Sequence, residues 1–161
     1  GLTIIRRNTK RMANRKQKKE MTYYFAYGSN MNHEHMKYRC PKSKYIGTHE
    51  LPDHELVFRS VADVQQSKDS SVVGALFKIT DECERSLDRY EGYPNLYTKK
   101  YHTTWDKNTP MKIMFYSMVD KQLVYPPSES YLETIIRGYI DCDLPTGALE
   151  EALQFSVSTL D

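Results

Sequence analysis

The segment Thr22-Tyr23-Tyr24-Phe25-Ala26-Tyr27 is dense in aromatic residues and runs straight into Gly28-Ser29-Asn30-Met31. Aromatic side chains favour a pleated, half-buried backbone, so residues 22–27 are predicted to form a strand. The glycine breaks it. Ser29 or Asn30 is then placed to N-cap a short helix reaching about Lys37 or Tyr38. A strand that empties into a helix start leaves backbone N–H groups unpaired at the junction. Such a junction suits a carboxylate or a developing oxyanion. It is not a phosphate loop, because no Gly-Lys-Ser/Thr follows, and Ser29 lacks the Gly-x-Ser-x-Gly setting of a nucleophile elbow.

The rest of the chain alternates strand and helix signals. Tyr45–Leu51 and Glu55–Ser60 are predicted strands either side of Pro52-Asp53, and polar Ala62–Ser71 is predicted to be a loop. Val72–Ile79 is a strong strand whose internal Gly74 marks a bulge or a close backbone approach. Asp81 with Glu84 forms a capping-box pattern that opens a helix to about Tyr90, stopped by Gly92 and Pro94. Tyr97–Trp105 and Lys112–Val119 are strands joined by a hairpin over Asp106–Pro110. Ser128 caps a helix with Tyr131, Leu132, Ile135, Ile136 and Tyr139 at helical spacing, and Gly147 to about Phe155 forms a last short helix. About six strands with three or four helices and few long crossovers argue an α+β fold with a mostly antiparallel or mixed sheet. A chain of 161 residues suits one domain.

Charge is segregated. Residues 1–20 carry eight of the chain's 23 basic residues and one of its 21 acids, a net +7; the remainder carries 15 basic and 20 acidic residues, a net −5. The tail 1–20 is therefore expected to be a disordered or nascently helical extension of a single domain spanning 21–161. It is expected to be a solvated extension, sequence upstream of a start at Met21, an organelle-targeting peptide or a contact for nucleic acid or an anionic surface. The acidic balance of the domain itself argues against a nucleic-acid groove. No apolar run is long enough to cross a membrane. Cys40, Cys83 and Cys142 are odd in number and show no C-x-x-C spacing, so they are expected to be reduced thiols, which implies a cytoplasmic protein.

The second informative string is Leu87-Asp88-Arg89-Tyr90-Glu91-Gly92-Tyr93-Pro94-Asn95-Leu96-Tyr97. Glu91 falls at a helix C-terminus, where the dipole disfavours negative charge, among Tyr90, Tyr93, Leu96 and Tyr97. Both effects raise a carboxyl pKa toward the value a general acid/base needs at neutral pH. Asp88, one turn earlier, could add like-charge repulsion, but carboxylates at i and i+3 point alike, so it is expected to support the loop. His33-Glu34-His35 resembles a metal pair, but i and i+2 on a helix point the two histidines apart and no third ligand is nearby, so it is not expected to hold a metal. No metal or other cofactor is expected. Lys99-Lys100 and Tyr101-His102 are expected on solvated strand faces.

Tyr24-Phe25-Ala26-Tyr27-Gly28-Ser29-Asn30-Met31 and the Glu91 string together resemble the γ-glutamylcyclotransferase family in its broad sense. The resemblance covers roughly Thr22 to Tyr139. It implies a small curved β-barrel flanked by helices. It implies an acyltransferase that cyclises a γ-glutamyl amide to 5-oxoproline with release of an amine, without a cofactor. Glu91 is then the catalytic acid/base, and Tyr27, Gly28, Ser29, Asn30 and Met31 bind substrate. Tyr116 and Tyr131, the latter in Pro126-Pro127-Ser128-Glu129-Ser130-Tyr131, match family tyrosines that line the pocket. The Glu91 string looks like the γ-glutamylamine branch, while Tyr-Gly-Ser-Asn-Met looks like the γ-glutamyl-amino-acid branch, so the leaving group stays open. The alternative is a non-catalytic member, a small-molecule or partner-binding module, acting as monomer or homodimer.

Overall fold

The computed structural model describes residues 21–121 and 123–161. The basic tail, and with it any nucleic-acid contact through residues 1–20, lies outside the described residues. Strands β1 (Thr22–Ala26), β2 (Lys44–Arg59), β3 (Val61–Ile79), β4 (Tyr97–Asp106) and β5 (Thr109–Met118) form one sheet. Helices α1 (His33–Arg39), α2 (Asp81–Glu91), α3 (Glu129–Asp141) and α4 (Gly147–Ser158) flank it. The spatial order is β2-β3-β1-β5-β4. β1 runs antiparallel to β3 and parallel to β5, so the sheet is mixed and the fold is α+β.

The aromatic strand is the central one. Phe25 is fully buried and its neighbours Tyr24, Ala26 and Tyr27 are also buried. Gly74 on β3 marks the closest backbone approach beside it. A Cβ there would lie 2.4 Å from the Ala26 carbonyl oxygen and 2.8 Å from the Phe25 ring.

The expected barrel is not closed by hydrogen bonds. β2 and β4 are the two edges of the sheet. Its curvature still brings those edges together through side chains: the His49 and His102 rings face each other with centroids 5.6 Å apart. Burial and this neighbour lower the pKa of His49 below that of an ordinary histidine. His102 is thus a seam residue, not part of a solvated face.

Ala62–Ser71 is strand, not loop. Its polar composition hides a ribbon whose backbone is paired with β2 over His54↔Gln66 to Arg59↔Val61. Ser67–Ser70 bulge opposite Asp53, and the Asp69 N–H is held by the Asp53 carboxylate at 3.1 Å. The turn end of this ribbon carries Asp63, fully buried between Arg59 at 3.0 Å and Lys121 at 2.8 Å. Asp63 also accepts from the Met118 N–H at 2.9 Å, locking the ribbon across β5.

Caps shift by a residue or so. Thr80, not Asp81, caps α2 by accepting from the Cys83 N–H at 3.1 Å. Gly92 ends α2 in the left-handed region at φ 63°, where glycine carries no Cβ penalty. Ser128 caps α3 as expected, accepting from the Tyr131 N–H. The β4–β5 turn tightens to Lys107-Asn108, both at positive φ, between Asp106 and Thr109.

The cysteine expectation is overturned. Cys40 and Cys83 form a disulfide, and only Cys142 is free and buried among the described residues. Their separation of 43 positions conceals the pairing, because only the packing of α1 on α2 brings the Cα atoms within 5.0 Å. The thiol premise of a cytoplasmic setting therefore falls. No helix among the described residues is long and apolar enough to cross a membrane.

Candidate active site

A cavity of about 190 Å³ opens where the end of β1, the turn after it, the start of β3 and the end of α2 meet. Tyr27, Gly28, Ser29, Asn30, Glu91, Tyr116 and Tyr131 all line it. Residues more than a hundred positions apart in sequence thus share one wall.

The turn is built by close packing. A Cβ on Gly28 would come within 3.2 Å of the Ala62 Cβ and 3.3 Å of the Tyr131 hydroxyl, so a side chain there would have to push a neighbour back. Ser29–Met31 form a single 3-10 turn in which the Met31 N–H bonds the Gly28 carbonyl and the Asn32 N–H bonds the Ser29 carbonyl. Asn32, not Ser29 or Asn30, caps α1 by accepting from the His35 N–H at 3.0 Å. Met31 does not line the cavity. It is fully buried beneath the turn, against Gly138 of α3, where an added Cβ would sit 2.7 Å from that of Met31.

Asn30 is 2 % exposed; its Nδ2 donates to the Tyr24 hydroxyl at 3.1 Å. Its Oδ1 is buried and has no partner among the described residues, leaving an acceptor at the cavity wall. An orphaned buried acceptor costs on the order of 1–3 kcal/mol, a cost a bound donor removes.

Glu91 ends α2, and burial lifts its carboxyl from 4.5 to about 7 against the opposing pull of Arg39. Of the expected neighbours, Tyr90, Leu96 and Tyr97 line the cavity with Glu91 and Tyr93 does not. Tyr24, Tyr27, Tyr116 and Tyr131 complete the aromatic walls. Asp88 does not repel Glu91 into this state. It is held by Lys99 at 2.9 Å and accepts from the Tyr116 hydroxyl at 2.6 Å. Lys99 also pairs with Glu84 at 2.6 Å, so it is a half-buried clamp, not a residue of a solvated face.

The tyrosine hydroxyls divide by use. Tyr27 donates to the Tyr116 carbonyl at 2.7 Å and Tyr97 to the Ala62 carbonyl at 2.7 Å, so both serve as rigid walls. The Tyr131 oxygen accepts from the Ala62 N–H at 3.0 Å, which leaves its own proton to donate. Tyr90 shares a hydrogen bond with the Ser29 hydroxyl at 2.9 Å. Burial raises the pKa of Tyr24, Tyr27, Tyr97, Tyr116 and Tyr131, so these phenols stay protonated.

Three contributing residues carry no sequence signal. Val61 and Ala62 reach the cavity only because the polar stretch is a strand. Arg39 lays its guanidinium 3.1 Å from the centroid of the Tyr90 ring, and only the packing of α1 on α2 puts it there. His33 and His35 do diverge: His35 bonds Arg39 at 2.7 Å, while His33 packs on Tyr45. Among the described residues no group of three or more His, Cys, Asp or Glu is arranged to hold a metal ion.

Residues 24–133 match the family described as "Gamma-glutamyl cyclotransferase, AIG2-like". The chain is 27% identical over 145 residues to a Bos taurus protein named γ-glutamylcyclotransferase, covering 81% of this chain and 77% of that one. It superposes with a TM-score of 0.71 on a solved γ-glutamyl cyclotransferase, at 25% identity and covering 83% of this chain and 86% of the other. A second solved structure, an uncharacterized protein from Homo sapiens, superposes with a TM-score of 0.70 at 26% identity, covering 83% and 86%.

Proposed function

The chain belongs to the γ-glutamyl cyclotransferase, AIG2-like family, and from that premise we propose that it cyclises a γ-glutamyl amide to 5-oxoproline, with Glu91 as the acid/base. One observation carries the reading: a carboxyl lifted to about 7 opens onto the same cavity as the Gly28-Ser29-Asn30 turn.

Nucleophile and electrophile belong to one substrate molecule, so the site's main task is to hold a folded, near-attack shape. Positioning of this kind accounts for a large share of the barrier in intramolecular reactions. The α-ammonium of the γ-glutamyl group rests near the free Oδ1 of Asn30 and gives a proton to Glu91. The amine then attacks the γ-carbonyl carbon. Negative charge develops on the carbonyl oxygen and is met by N–H groups of the Gly28–Asn30 turn and by the Tyr131 hydroxyl. Glu91 returns its proton to the leaving nitrogen, the C–N bond breaks, the ring nitrogen gives its second proton to the regenerated carboxylate and on to the departing amine, and 5-oxoproline and an ammonium leave. Tyr27, Tyr97 and Tyr116, their hydroxyls already engaged, hold the walls dry and rigid. A carboxyl that titrates near 7 is suited to both proton transfers at neutral pH.

The test is release of 5-oxoproline from a panel of γ-glutamyl amines and γ-glutamyl amino acids. Product from one subset supports the reaction and identifies the leaving group. No product from folded protein would favour a binding module that keeps the pocket.

A further inference from the structure

The Cys40–Cys83 disulfide lies at the joint between α1 and α2. Cys40 is the C-cap of α1, with its N–H on the Met36 carbonyl, and Cys83 stands in the first turn of α2. A second tie crosses the same joint, from the Ser86 hydroxyl to the Arg39 carbonyl at 2.9 Å.

Arg39 immediately precedes Cys40. Its guanidinium stacks on Tyr90, and one of its terminal nitrogens bonds His35 at 2.7 Å. Its Nε is buried without a hydrogen-bond partner among the described residues. A charged donor left unpaired in this way would gain by moving toward water. The covalent joint beside it opposes that movement. Tyr90, under Arg39, bonds Ser29 of the substrate turn, and the next residue is Glu91. One short path therefore runs from the disulfide to both halves of the active site.

Cys40 and Cys83 are only 1% and 5% exposed. A separate cavity of about 200 Å³, lined by both cysteines with Arg39, Lys42, Ser86 and Arg89, gives a small thiol a route to the bond.

We propose that the Cys40–Cys83 disulfide is a redox-sensitive control site: when closed it holds the Arg39 guanidinium against Tyr90 beside the acid/base, and when reduced it releases it. The inference rests on the reading of Glu91 as that group. In the reductive step a thiolate attacks one of the two sulfurs, forming a mixed disulfide and freeing the other cysteine. A second thiol then resolves the mixed disulfide. The protein gains two electrons and two protons as two thiols of the reductant join in a disulfide.

The consequence at Glu91 follows from charge. Burial favours its neutral form and Arg39 favours its ionised form. The other groups facing it are neutral phenols: Tyr24 of β1, Tyr27 beyond it, Tyr97 of β4, Tyr116 of β5 and Tyr131 of α3. His35 of α1 is held neutral by burial and by Arg39, and Lys99 is committed to Glu84 and Asp88. Moving Arg39 away thus removes the cation that opposes burial, and the Glu91 carboxyl rises further.

The experiment is a carbon-13 NMR titration of the Glu91 carboxyl in the full chain, oxidised and then reduced with dithiothreitol, with thiols counted after denaturation. The expected thiol count is one in the oxidised chain, from Cys142, and three after reduction. The Glu91 midpoint should rise on reduction, as loss of a nearby opposite charge requires. Arg39→Met should titrate in the oxidised state where the reduced wild type does, with no further movement on reduction. Three thiols after exposure to a mild disulfide oxidant would overturn the proposal, as would one midpoint shared by oxidised and reduced wild type. If Arg39→Met fails to fold, the wild-type pair still decides. Because the readout is a titration, failure of the cyclotransferase reading would show separately, as absent 5-oxoproline.

Discussion

The Tyr116 hydroxyl donates to the Asp88 carboxylate at 2.6 Å, and Lys99 closes on the same group at 2.9 Å. The carboxylate one helical turn before Glu91 is thereby fixed in place as a support. Asp88 and Glu91, one turn apart on α2, divide their roles through their surroundings: Asp88 is ion-paired, and Glu91 is lifted to about 7 by burial.

Glu91→Gln keeps the size and the hydrogen-bonding reach of the side chain but cannot move a proton. The variant should fold, and 5-oxoproline release should fall by ~10²–10⁴-fold, the usual worth of a general acid/base. Near-normal turnover in a folded Gln variant would remove Glu91 from the mechanism.

The raised carboxyl also ties stability to pH. Glu91 binds its proton more tightly folded, at about 7, than its ordinary 4.5. Its contribution is fully present below 4.5 and is lost as pH rises through 7, by on the order of 3 kcal/mol for a shift of this size. Denaturant melts of wild type against Glu91→Gln across this window should show the Gln variant gaining relative stability as pH rises. In the same window, turnover should climb with the deprotonated fraction of Glu91.

Tyr131→Phe keeps the ring and removes the oxygen that accepts from the Ala62 N–H. The orphaned amide should cost about 1–3 kcal/mol, read as a lower Tm. Loss of a donor to the developing oxyanion should cost about 10²-fold in kcat/KM. A Tm loss with unchanged kcat/KM would confine Tyr131 to the scaffold.

Asp63→Asn preserves shape but leaves Arg59 facing a neutral amide in a site where Asp63 is 0% exposed. Breaking a buried pair by removing one partner costs about 3 kcal/mol or more. Chemical denaturation should show that loss, accompanied by weakened protection of the Met118 amide that Asp63 holds.

Gly74→Ala forces a methyl to within 2.4 Å of the Ala26 carbonyl and 2.8 Å of the Phe25 ring. Overpacking of a filled core costs about 1–3 kcal/mol, and calorimetry should show a lowered Tm. An unchanged Tm would mean that β1 and β3 can move apart at little cost.

The amino-acid sequence by itself determined the central aromatic strand, the glycine that stops it, the close approach at Gly74 and the helix ended by Gly92. Those features depend on neighbours a few residues away, and local backbone preference fixes them. Tertiary structure alone decided what required distant partners. A polar stretch became the strand carrying Val61 and Ala62 because β2 satisfies its backbone. Lys99 became a clamp because Glu84 and Asp88 of α2 meet it, and Met31 turned into the core under Gly138. Cys40 found Cys83, and Arg39 found Tyr90, because α1 packs on α2. Local propensity acts over a few residues of chain, whereas burial, ion pairing and disulfide closure act through space, and the chain's folded path alone sets those distances.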